Sequence, residues 1–248
     1  MCWARIAVVL ALGAALGGCI TTQRAQKALG HHQLAQAYFD EGDVSGSIVE
    51  LREAIRLNPY LPESHHLLAN CYFAREMFDD AEKEFRTALR LQDPFPEAQL
   101  NLGAMLASLG RWDDAIVAFE AAADEPTYRE SGRAIHNLGW AYYNQGRFEE
   151  SREAYQRVLE VTPLFCPSIH NLGLVSEAEG KLDEAESSFL RARKCNKADL
   201  NTWMALGKLY LRLDNLEQAE FHLDFVQSHD ENGALGEEAR QLLDELGG

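Results

Sequence analysis

The sequence predicts an all-α fold: a right-handed α-solenoid of six stacked helix pairs, closed by a C-terminal capping helix. Three observations carry this. A leucine followed by a small residue recurs at Leu34-Ala35, Leu68-Ala69, Leu102-Gly103, Leu138-Gly139, Leu172-Gly173 and Leu206-Gly207. The leucine steps are 34, 34, 36, 34 and 34 residues, the period of a two-helix unit. Within each unit, apolar and small residues return at helical offsets, so both halves bury one stripe. Glycines at 42, 110, 146 and 180 separate the halves, where a left-handed residue ends the first helix. Stacked helix pairs offer a continuous surface and supply no chemistry of their own. The pattern therefore points to a protein that holds another molecule.

The chain opens with Met-Cys-Trp-Ala-Arg5, runs apolar from Ile6 to Leu16 and reaches Gly17-Gly18-Cys19. One positive charge, a short apolar run and a small-residue site make residues 1–18 a secretory leader. The run is shorter than the roughly 20 residues that cross a bilayer. Leu16-Gly17-Gly18-Cys19 resembles the bacterial lipobox, which implies that Cys19 becomes the first mature residue and carries the lipid. Several acyl chains then anchor the protein stably. By resemblance to other lipoproteins, Ile20 after the cysteine implies the periplasmic face of the outer membrane. Residues 19–27 are expected to be a lipidated tether, whose eight residues from Ile20 to Lys27 reach at most roughly 28 Å.

The repeats span 28–61, 62–95, 96–131, 132–165, 166–199 and 200–231, together 28–231. Counting positions from the start of each, position 8 is Ala35, Ala69, Gly103, Gly139, Gly173 and Gly207. Position 20 is Ser47, Ala81, Ala115, Ser151, Ala185 and Ala219, again small, which marks a close crossing of the two helices. Position 24 supplies the large knob: Leu51, Phe85, Phe119, Tyr155, Phe189 and Leu223. Position 11 is Tyr38, Tyr72, Leu106, Tyr142, Ser176 and Tyr210. This series of Leu-Gly, Tyr, Ala and Phe resembles the tetratricopeptide repeat. The departures are few: proline at position 32 only as Pro59 and Pro163, tryptophan at position 4 only as Trp203, and serine in place of tyrosine at Ser176.

In such arrays the first helices line the concave side. The column at position 5 reads His32, His66, Leu100, His136, His170 and Met204. Gln36, Phe39, Asn70, Phe73, Trp140, Tyr143 and Leu174 flank it, and these thirteen residues form the expected partner-binding groove. Few charges and several aromatics suit an amphipathic helical segment of a protein partner. Lysines and arginines that would clamp a C-terminal carboxylate are missing from the column, which excludes that ligand. No metal site is expected, because ligands converge within about 2 Å of one ion whereas neighbouring helices lie about 8–10 Å apart.

The 36-residue step comes from Asp124-Glu125-Pro126-Thr127-Tyr128-Arg129 between repeats three and four. Six repeats, a lipobox and the segment EPTYRESGRAIHNLGWAYYNQGRFEES together resemble the type IV pilus biogenesis and stability lipoproteins, the PilF/PilW/Tgl family often called pilotins. That resemblance implies binding to a secretin subunit, the outer-membrane pore of the pilus machine, and promotion of its localisation and multimerisation. Two other readings stay open here: a repeat lipoprotein of the outer-membrane β-barrel assembly machinery, and a regulator or partner of a cell-wall enzyme.

Residues 232–248, with Leu235, Ala239, Leu242, Leu243 and Leu246 on one face, are expected to be a capping helix that covers the last repeat. Cys166 begins the first helix of repeat five and Cys195 ends its second, so antiparallel packing brings them together as a candidate disulfide. Cys71 reads as a small buried residue. The net charge of −16 opposes nucleic-acid binding, which depends on Lys and Arg neutralising phosphates. No Gly-x-Ser-x-Gly, phosphate-binding glycine loop, His-Glu-x-x-His or Cys-x-x-Cys occurs, so neither catalysis nor a cofactor is expected.

Overall fold

The computed structural model describes residues 22–247 and is all-helical across them. The leader and Cys19 lie outside the described residues. The chain divides into two compact units, with the division between Arg111 and Trp112, that is, between the two helices of the third repeat.

The first unit contains α1 (22–40), α2 (Val44–Leu57), α3 (Pro62–Ala74), α4 (Phe78–Leu91) and α5 (Pro96–Ser108). Here α3 packs on α2 and α4, while α5 packs on α4 and α3, the neighbour pattern of stacked hairpins. Residues 22–27, expected to be part of a tether, are helical and continue into the first repeat as α1. Gln, Arg, Ala and Lys in this stretch are good helix formers. Arg24 Nη2 also donates to the Arg56 carbonyl at the end of α2, 3.1 Å away, which docks the extension on the repeat.

The second unit contains α6 (Trp112–Ala123), α7 (Ser131–Asn144), α8 (Phe148–Val161), α9 (Cys166–Ala178), α10 (Leu182–Cys195), α11 (Leu200–Arg212), α12 (Leu216–His229) and α13 (Ala234–Gly247). Successive helices pack in antiparallel pairs, and α7 also touches α9 as α11 touches α13. The capping helix α13 lays Ala239 and its leucines on Trp203, Met204, Leu223 and Val226. Asp230 fixes its start, with one carboxylate oxygen accepting from the Leu235 and Gly236 N–H groups at 3.1 Å each.

Proline sits in the first turn of α3, α5 and α9, where its missing N–H costs nothing. Acidic pairs such as Asp79-Asp80, Asp113-Asp114 and Glu149-Glu150 open α4, α6 and α8, facing the positive helix ends. First helices end in the same motif: the residue at position 16 donates back to the carbonyl at position 11, as Arg147 N–H does to Tyr142 at 2.9 Å. The residue between them is left-handed. At 42, 110, 146 and 180 it is glycine, but Glu76 (φ 59°) and Asp214 (φ 55°) hold the same conformation.

Within the second unit the core of each complete repeat is the position-24 knob set over the small position 8. An added Cβ on Gly139, Gly173 or Gly207 would come within 2.8, 2.5 and 2.7 Å of Tyr155, Phe189 and Leu223 respectively. Ser151, at position 20, donates to the Gly139 carbonyl at 2.8 Å across the same crossing. Tyr155 is a buried phenol among phenylalanines because Asn171 of the next repeat donates to its oxygen at 3.0 Å.

Candidate partner-binding site

The structure turns the histidine column toward the next repeat. His32 Nδ1 is hydrogen-bonded to Ser64 Oγ at 3.2 Å, His136 Nδ1 to Ser168 Oγ at 2.9 Å and His170 Nδ1 to Thr202 Oγ1 at 2.9 Å. Each link spans 32 residues, from position 5 of one repeat to position 3 of the next. Thr202 spends its own proton on Asp199 at 2.5 Å, so the His170 ring is the donor in that pair. At His66 the next position 3 is Ala98, which has no hydroxyl; Asn70 and Asn101 donate to its Nε2 instead, at 3.3 and 2.9 Å.

Aromatic packing completes each seat. His66 meets Phe95 edge-on with ring centres 5.0 Å apart, His136 meets Phe165 at 5.3 Å, and His170 tilts against Phe189 at 5.4 Å. Burial disfavours the imidazolium, lowering His32 and His170 and pushing His66 and His136 down to about 4. These four rings are therefore neutral, half-buried links between repeats.

Leu100 and Met204, expected in the groove with them, are only 4% and 3% exposed. Leu100 faces inward on α5, and α13 covers Met204. Neither offers a surface to a partner. What remains accessible falls in two places. In the first unit Gln36 is exposed and bonded to Asp40 at 2.8 Å, while Phe39, Asn70 and Phe73 are half-buried, with Phe73 tilted against Phe78. In the second unit Trp140 is 39% exposed and stacks on Tyr143 at 5.3 Å and 12°, and Tyr143 leans on Phe148 at 5.7 Å. Leu174 is half-buried against the α10–α11 core. The Trp140–Tyr143 pair is a preformed, partly exposed aromatic stack.

Two groups escaped the sequence reading. His65, one residue before the column, is buried between the Glu84 carboxylate (Nδ1–Oε2 2.6 Å) and the Pro59 carbonyl (Nε2–O 3.1 Å). Burial alone would lower it, but the carboxylate and carbonyl outweigh that and hold it above the usual histidine range. Its absence from position-4 expectations traces to the missing consensus tryptophan. The second is Arg152, which fills the space left by Ser176: its guanidinium reaches Ser176 Oγ at 3.3 Å and pairs with Glu179. Elsewhere the tyrosine at position 11 makes this link itself, as Tyr210 does to Glu186 at 2.6 Å and Tyr142 to Glu120 at 2.8 Å.

Cys166 and Cys195 are joined, with Cα atoms 5.7 Å apart, and tie the start of α9 to the end of α10. Cys71 is buried, its thiol 3.3 Å from Ser47 Oγ. The inserted segment is more than a spacer, since it buries Tyr128 and folds Thr127 back onto Glu125. Among the described residues no group of three or more His, Cys, Asp or Glu is placed to hold a metal ion, and no helix is long and apolar enough to cross a membrane.

No curated protein sequence matches the chain. Among solved structures it is similar to PilW, a widely conserved type IV pilus biogenesis factor, at 22% identity and TM-score 0.78 over 86% of this chain and 98% of that one. It is similar to PilF of Pseudomonas aeruginosa at 17% identity and TM-score 0.74, over 88% and 99%. It also resembles YrrB, a repeat protein with an unusual peptide-binding site, at 20% identity and TM-score 0.57 over 77% and 97%. At these identities the likeness is one of fold. Family models of the tetratricopeptide repeat match residues 35–75, 62–94, 94–163 and 136–199, a continuous run covering more than half of the sequence. With its paired helices and small-residue crossings, the chain belongs to the tetratricopeptide-repeat proteins.

Proposed function

We propose that the chain is a non-catalytic, lipid-anchored scaffold of type IV pilus biogenesis that holds a segment of the secretin subunit and promotes its localisation and multimerisation in the outer membrane. The observation that carries this reading is the near-complete mutual coverage with PilW and PilF, 98% and 99% of whose chains are spanned. The lipobox-like Leu16-Gly17-Gly18-Cys19 supports the anchor. The Trp140–Tyr143 platform, together with Phe39 and Phe73, supplies apolar surface for an amphipathic helix of the partner. Because α1 is already helical at residue 22, the lipid at Cys19 holds the first repeat closer to the membrane than an extended tether would.

Deleting the gene tests the reading. Secretin monomers should persist while heat-resistant multimers are lost, and normal multimers would overturn it. A general fall in outer-membrane β-barrels would point to the assembly machinery instead, and co-purification of a hydrolase or synthase to a cell-wall role. Cys19→Ala should release the protein from the outer-membrane fraction. Trp140→Ala with Tyr143→Ala should weaken secretin capture by about tenfold or more with the fold intact.

A further inference from the structure

The chain is strongly acidic, yet one recess in the first unit is lined by three cations against a single carboxylate, Asp93. Lys83, Arg86 and Arg90 fall at i, i+3 and i+7 on one face of α4, and with Leu89, Asp93 and Gln99 they enclose about 580 Å³ between the end of α4 and the start of α5. The bonds around it leave positive charge in excess. Glu82 is shared by two guanidiniums, accepting from Arg86 at 2.7 Å and from Arg111 at 2.6 Å, and its carboxyl is held below the usual range by that pairing. Among the described residues Arg90 reaches only the Thr87 hydroxyl, at 3.0 Å. Among the described residues the Lys83 ammonium has no hydrogen bond or ion pair. Internal pairing therefore explains Arg86 but leaves Lys83 and Arg90 unaccounted for.

We infer that this α4–α5 recess is a second docking surface, one that takes an acidic segment of a protein partner. Charge complementarity selects the ligand: carboxylates meet Lys83 and Arg90, and Leu89 sets an apolar floor between them for an aliphatic side chain. Concavity selects its class. A recess admits a protruding chain segment, whereas a lipid surface is reached by groups that stand out from the protein. Because the rest of the chain repels acidic ligands, the recess also orients such a segment as it arrives. The inference stands apart from the secretin reading, since it uses none of the column residues.

The test uses the full chain and a fluorescein-labelled peptide of repeating Glu-Glu-Leu units, read by anisotropy. The wild type should bind it with an affinity that falls as salt rises. Lys83→Glu with Arg90→Glu should weaken binding by about tenfold or more, and Lys83→Gln with Arg90→Gln by less. Arg157→Glu with Arg191→Glu makes the same change of net charge in the other unit and should leave binding within about twofold. Equal losses in the two Glu pairs would overturn the inference, as would failure of the wild type to bind. So would phosphatidylglycerol vesicles that bind the wild type and are released by the Lys83 and Arg90 substitutions while the peptide is not. The Gln pair keeps the result decisive if charge reversal disturbs folding.

Discussion

In the three complete hairpins of the second unit the residue under the central knob is glycine, and Gly139, Gly173 and Gly207 leave no room for a methyl group beneath Tyr155, Phe189 and Leu223. In the two complete hairpins of the first unit the same position holds Ala35 and Ala69, with Leu51 and Phe85 as the knobs, although the unit's last helix, α5, carries glycine there as Gly103. The second unit also carries the disulfide and the exposed Trp140–Tyr143 stack, whereas the first carries the buried His65–Glu84 pair and the cationic recess. One repeat pattern thus tolerates two ways of closing the hairpin. The tighter crossings coincide with the covalent tie and the aromatic stack, so the second unit reads as the stiffer of the two.

The largest expected effect comes from the covalent difference. Cys166→Ser with Cys195→Ser should destabilise the second unit by about 3 kcal/mol. Amide exchange should accelerate in α9 and α10 while α2–α4 keep their protection; equal acceleration in both units would erase the contrast. Next, Gly173→Ala should cost about 2 kcal/mol through collision with Phe189, despite alanine's better helix propensity. Ala69→Gly in the first unit should cost about 1 kcal/mol. A stabilised Gly173→Ala variant, by denaturant midpoint, would mean that the ring yields freely.

Acid should separate neighbouring histidines. His66 and His136 have depressed folded values, so their contribution is level above about 6.5 and falls as pH drops toward about 4, by on the order of 1–2 kcal/mol each at pH 5. His65 is raised, so its pairing with Glu84 stabilises below the unfolded value and fades as pH rises through the folded one. Melting curves of His136→Gln should lose part of the decline between pH 6.5 and 5, and those of His65→Gln should lose stability mainly at the acid end. Smallest of all, Glu76→Gly and Asp214→Gly should each gain about 0.5–1 kcal/mol by relieving a left-handed backbone, one in each unit.

The helices were legible in the sequence because periodicity and glycine punctuation act locally: Leu172-Gly173, Phe189 and Gly180 mark a hairpin within one repeat. The cysteine pair was legible for the same reason, since antiparallel helices bring their opposite ends together. The column was not. His32 and His170 take their partners from Ser64 and Thr202, small residues a full repeat away that carry no distinguishing signal. Met204 looked like groove lining because its cover is a helix that follows the last repeat, and only packing places α13 there. The helical start at residue 22 lies ahead of the first consensus position, where the repeat pattern carries no signal.

The histidine links have a consequence for how such an array can be rebuilt. A repeat that ends its claim at His136 needs a hydroxyl at the head of its successor, and Ser168 provides one. Removing residues 62–95 would instead set His32 before Ala98, where the ring loses its hydroxyl partner and is left with Asn101, the donor that His66 uses. The repeats are therefore not interchangeable bricks. Each repeat with a histidine at position 5 carries a requirement on its follower, so splicing, duplication or transplantation must move compatible neighbours together.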